Sequence, residues 1–227
     1  MTAAANEQAQ HAEANARRVI SAVEMLLDSP ESLYRRGWEQ RQTHNGNVDA
    51  ACQAIISQQS NLSAIVGALS AAPAVIPGPG TAMAALGGML GEVILLLKIE
   101  TELCMVLSAA HGFDVRLPHE RQLAMLLASI GTFQSQHGDD ILLALGITSA
   151  EAIWNYAPRE VSKLLLRVTG RVLLAGAARK GAKTLFLALP FVGMGVGAGM
   201  NKVLTARVGK RAHAALTMRA RAAAAAG

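Results

Sequence analysis

Between Asp49 and Glu92 this 227-residue chain carries no charged side chain, and prolines at 73, 77 and 79 break the run in its middle. An uncharged stretch of 42 residues (50–91) must be covered by the rest of the fold or by lipid. A membrane-spanning helix needs about 20 predominantly apolar residues. Here Gln53, Ser57, Gln58, Gln59, Ser60 and Asn61 make the first part polar, and the Pro/Gly segment 73–80 cannot be helix. The apolar arms that remain are about 11 residues each, roughly 16 Å of helix, or half a hydrocarbon core. The pattern predicts a hairpin over 62–91 that is buried or enters one leaflet and does not cross. A second uncharged run, 184–201, holds Pro190 and four glycines and reads the same way.

Ala (43 residues) and Leu (29) are strong helix formers, while aromatic residues are only 4% of the chain. That balance excludes a β-sandwich or barrel. Punctuation marks the helices: Ser29-Pro30 as N-cap and first position, Asn45-Gly46 as a stop, and Gly112 closing a helix that begins at Thr81. Pro118 and Pro158 open further helices, Thr148–Glu151 fits a capping box, and Pro190 precedes the last helix. The expected fold is all-α, a single-domain bundle of about eight helices built round two Pro/Gly-broken apolar hairpins. Residues 1–12 read as a frayed polar lead-in, 13–221 as the helical domain and 222–227 as an Ala-rich tail. Residues 1–18 lack the apolar core of a signal peptide, so the chain reads as cytosolic.

Two stretches echo each other. Ile76-Pro77-Gly78-Pro79-Gly80 precedes a helix rich in small residues, and so does Leu189-Pro190-Phe191-Val192-Gly193. With Ala109-Ala110-His111-Gly112-Phe113-Asp114 between them, these elements resemble the EcsC family, bacterial helical proteins named after a gene found beside an ABC transporter. The resemblance covers roughly residues 50–218. It implies an all-helical, membrane-associated accessory protein and brings no catalytic residues. The family usually has an aromatic residue where this chain has His111.

Several motifs fail on their chemistry. Gly176-Ala-Ala-Arg-Lys-Gly181-Ala-Lys183-Thr184 is close to a P-loop, but Ala182 separates Gly181 from the lysine that must reach the phosphates. Gly193-Met-Gly195-Val-Gly197 is a loose dinucleotide fingerprint, yet no acidic residue follows to hold a ribose. On a helix, Gly193/Gly197, Gly195/Gly199 and Gly87/Gly91 are instead small-residue pairs that let helices approach closely. His111-Gly-Phe-Asp114 and His137-Gly-Asp-Asp140 could supply metal ligands, but His at a helix end and Asp before the next helix is ordinary dipole complementarity. Cys52 and Cys104 have no CxxC partner and no histidine nearby in sequence, so they read as inert buried thiols. No metal, cofactor or catalytic residue is expected.

Charge is divided unevenly. Residues 1–160 hold 9 Lys/Arg and 16 Asp/Glu; residues 161–227 hold 12 Lys/Arg and no carboxylate. Within the basic part, Lys163, Arg167, Arg171, Arg179 and Lys183 lie on an i+4 ladder beside apolar segments. Cations bordering an apolar surface are attracted to an anionic membrane interface. The expected function is therefore non-enzymatic lipid binding or peripheral docking on the inner face of the cell membrane. Its ligand would be an anionic phospholipid or acyl chain, its turns Pro77, Gly78, Gly80, Pro190 and Gly193. Alternatives are a scaffold or adaptor for a membrane transporter, then an enzyme with an unrecognised site. The competing view of the ladder pairs it with carboxylates of the N-terminal part. Nucleic acid is not an expected partner, because the basic part has few aromatic residues for stacking and no clear recognition-helix motif.

Overall fold

The computed structural model describes residues 3–71, 89–137, 158–178 and 190–226. These residues form seven helices and no strand: α1 (Ala3–Leu26), α2 (Pro30–Thr43), α3 (Val48–Ala71), α4 (Met89–Ala110), α5 (Pro118–His137), α6 (Pro158–Ala178) and α7 (Pro190–Ala226). The all-α expectation holds. The turn of the first hairpin, with Pro77, Gly78 and Gly80, lies outside the described residues, as do Thr148–Glu151 and the segment joining α6 to α7.

Local chemistry sets the ends. The Ser29 hydroxyl accepts the Ser32 amide at 3.3 Å, capping α2 just before Pro30. After α2 the backbone turns left-handed at Asn45 (φ 53°) and Gly46 (φ 79°), residue types that tolerate this. Asn47 then caps α3 by accepting the Ala50 amide at 3.0 Å. At the end of α4, the Gly112 amide donates to Ala109 O (2.9 Å) and Phe113 to Ser108 O (3.0 Å), with Gly112 at φ 94°. This paired closure fixes His111 as the last residue of the turn.

Two helix ends differ from expectation. α1 begins at Ala3 rather than after a frayed lead-in, and α7 runs to Ala226 rather than stopping near Arg221. Both extensions are Ala-rich, and alanine has the lowest cost of any residue in a helix. Pro190 is the first residue of α7, where its missing amide hydrogen is not needed.

The core has two parts. One gathers Leu33, Cys52, Ile55, Ile56, Leu103, Leu107, Val208 and Leu216 from α2, α3, α4 and α7. The other gathers Val19, Val23, Ile94, Leu97, Leu126, Val161 and Val168 from α1, α4, α5 and α6. Helices α4 and α5 contribute to both and form the spine. α3 and α7 run antiparallel in the largest helix–helix contact. Asp49 meets His213 near one end, while Ile56 lies against Gly209 further along. The same register brings Leu62 and Ile65 level with α7 residues 200–203.

Candidate functional site

The ladder residues fall into two groups. Lys163 and Arg167 are exposed on α6, and neither has an ion-pair partner among the described residues. The backbone of Arg171 follows in α6, but its side chain, and all of Arg179 and Lys183, lie outside the described residues. On α7, Lys202, Arg207, Lys210, Arg211 and Arg221 are exposed as well. Arg219 differs, turning inward to Glu120 at 2.6 and 2.7 Å and lying over the Phe113 ring at 3.9 Å. One cation of the basic part therefore does pair with an N-terminal carboxylate.

Helices α3 and α7 also expose large apolar side chains. Ile65 (58% exposed), Val203 (48%), Leu62 (44%) and Met200 (41%) occupy the same end of the α3–α7 pair. No helix among the described residues is long and apolar enough to cross a membrane. The small-residue positions are less uniform than their spacing implies. Gly91 lies in α4 and Gly193, Gly195 and Gly197 in α7, whereas Gly87 is outside the described residues. A Cβ on Gly199 would meet nothing within 4 Å. Among the glycines whose surroundings are described, close helix approaches occur at Gly37, Gly131 and Gly209, where a Cβ would come within 3.0 Å of a neighbour.

A cavity of about 390 Å³ opens where α1 turns into α2, against α4 and α5. Glu24, Asp28, Arg121 and Gln122 line it together with Met105 and Met125. Charged groups at these positions suit a polar occupant better than an acyl chain.

A second polar site joins three segments that are distant in sequence. Cys52 on α3, His111 at the end of α4 and His213 on α7 each present a donor atom within 4.8 Å of the other two. His111 Nε2 faces His213 Nδ1 at 3.1 Å. On its other side, His213 Nε2 lies 3.2 Å from the Oδ1 of the exposed Asp49 carboxylate. Cys52 is fully buried, and burial, reinforced by the Asp49 carboxylate, pushes its thiol up to about 12. Burial first, then His213 and Arg41, outweigh Asp49 and hold His111 down at about 4. Near neutrality the site is thus a neutral thiol beside a neutral imidazole. Asp114, the sequence-adjacent candidate to join His111, is taken by Arg116 instead, at 2.8 and 3.0 Å. Cys52 does have histidine partners, and the fold supplies both. The available signal was Asp49 and Cys52 at i, i+3, which share a helix face.

Two acids of α4 are buried: Glu102, which pairs with Lys98, and Glu100, which is fully enclosed. Burial, only partly opposed by its hydrogen bond with Thr132, raises it to about 8. The Thr132 hydroxyl has one hydrogen and two acceptors in reach, Glu100 and the Ala128 carbonyl at 2.7 Å. A protonated Glu100 resolves this by donating to the hydroxyl. No family model, no curated protein and no solved structure matches this chain.

Proposed function

We propose that the chain is a non-catalytic helical protein that docks peripherally on an anionic membrane surface, an accessory protein of the kind its EcsC-like elements imply. One observation carries the reading. Exposed Leu62, Ile65, Met200 and Val203 share one end of the α3–α7 pair with exposed Lys202, and Arg207 follows on α7. Apolar side chains enter the headgroup boundary, and neighbouring cations gain about 1 kcal/mol each near acidic lipid. Lys163 and Arg167 add exposed positive charge on α6, with no ion-pair partner among the described residues. Among the described residues, the cavity between α1, α2, α4 and α5 includes Glu24, Asp28 and Arg121 in its lining, which favours docking over carrying an acyl chain there.

Vesicle co-sedimentation tests the reading. The wild type should bind vesicles containing acidic phospholipid, and Ile65→Glu with Val203→Glu should abolish that binding while helicity is retained. Equal binding by the double variant would remove the apolar end from the mechanism.

A further inference from the structure

We propose that Cys52, His111 and His213 form a binding site for a divalent transition-metal cation of zinc's class, with Asp49 holding His213 in the ligating tautomer. This goes beyond the docking reading and does not depend on it, since the site uses none of the exposed apolar or unpaired basic residues.

Donor chemistry comes first. One thiolate and two imidazoles are a borderline-soft set that suits zinc, with a fourth position left for water. Three donor atoms within 4.8 Å of one another need only a small closure around one ion. Two nitrogens each about 2.0 Å from a tetrahedral ion lie about 3.3 Å apart. The facing nitrogens of His111 and His213 are already at 3.1 Å.

The supporting carboxylate is already in place. Asp49 Oδ1 lies 3.2 Å from His213 Nε2, so in the tautomer with hydrogen on Nε2 the Nδ1 lone pair faces His111. Carboxylate–histidine–metal arrangements use this same support to fix ring orientation and raise ligand basicity. In that tautomer, and without an ion, His111 donates its Nε2–H into the His213 lone pair. With one, the proton leaves and both nitrogens ligate.

Charge also balances. A dication, the Cys52 thiolate and the Asp49 carboxylate sum to zero. Arg41 is the opposing group, reaching the neighbourhood from α2 with its Nη1 3.7 Å from the Cβ position of Gly112. Access is open, because the His213 side chain is 21% exposed and His111 is only part-buried. A bound ion would tie the α4 terminus to the α3–α7 pair and stabilise the folded state.

The test uses the full chain, stripped of metal and titrated with Zn2+ alone and with Co2+ alone. The wild type should take up one ion per chain, and Zn2+ should raise its thermal midpoint. The Co2+ form should show both a tetrahedral d–d spectrum and a thiolate-to-metal charge-transfer band. Cys52→Ala should lose the charge-transfer band, and His213→Ala should lose tight binding. Asp49→Asn should keep the ligands but bind roughly 10- to 100-fold more weakly. His213→Ala changes a partly exposed side chain, so its fold can be verified by circular dichroism even if Cys52→Ala is unstable. Absence of stoichiometric uptake by the wild type would overturn the proposal. So would uptake that His213→Ala and Asp49→Asn leave unchanged.

Discussion

Arg219 grips Glu120 with two nitrogens, at 2.6 and 2.7 Å, across 99 positions of sequence. Their side chains are only 17% and 13% exposed. Arg219→Met would leave Glu120 enclosed without its counter-charge and remove the guanidinium from the Phe113 ring. Breaking one partner of a fully buried pair costs about 3–5 kcal/mol, so for this part-buried pair the cost should be about 1–3 kcal/mol. A corresponding drop in the denaturant midpoint, with unchanged slope, is the expected result.

The exposed cations should behave in the opposite way. Lys163 and Arg167 have no ion-pair partner among the described residues, so replacing both by Gln should move stability by no more than about 0.5 kcal/mol. Their loss should appear in vesicle affinity. A double variant that is clearly destabilised but binds lipid undiminished would make the α6 cations structural.

Two glycines should respond with opposite signs. A Cβ on Gly37 would meet the Val106 carbonyl oxygen at 2.5 Å and the Ala109 Cβ at 2.6 Å, backbone and core of α4 that cannot move aside cheaply. Gly37→Ala should cost roughly 1–3 kcal/mol despite the better helix propensity. Gly199→Ala, inside α7 and facing open space, should gain about 0.5–1 kcal/mol. Thermal denaturation of the two variants checks both signs.

Glu100 makes stability depend on pH. Its folded-state value is raised from 4.5 to about 8, so between those limits the folded state holds a proton that the unfolded state releases. Its contribution is fully present below about pH 4.5 and is lost as pH rises through about 8, a change on the order of a few kcal/mol. Glu100→Gln should remove this slope. The difference between wild-type and variant denaturation midpoints, followed from pH 5 to 8, measures it.

Much of the helical punctuation was legible because it is local. Ser29-Pro30, Asn45-Gly46, Gly112 and Pro118 act through capping, left-handed backbone or a missing amide hydrogen, all set within a few residues. The continuations of α1 to Ala3 and α7 to Ala226 were missed because Ala-rich ends look like ragged tails when polarity alone is weighed. The Cys52–His111–His213 cluster was not legible. Its histidines are 102 positions apart, and only the docking of α7 on α3 brings them together. His111 and Asp114 look like partners in sequence, but the short loop hands Asp114 to Arg116. The inward turn of Arg219 was likewise invisible among twelve cations with no carboxylate in their own segment.

The docking account is tested most directly by the salt and lipid dependence of vesicle binding. The wild type should bind vesicles containing acidic phospholipid, bind neutral vesicles weakly and lose affinity as salt shortens the Debye length towards about 8 Å. Lys202→Gln with Arg207→Gln removes two exposed α7 cations worth about 1 kcal/mol each near the surface, so affinity should fall roughly 30-fold with the fold intact. Absence of vesicle binding, or binding that ignores lipid charge, salt and both substitutions, would contradict the account.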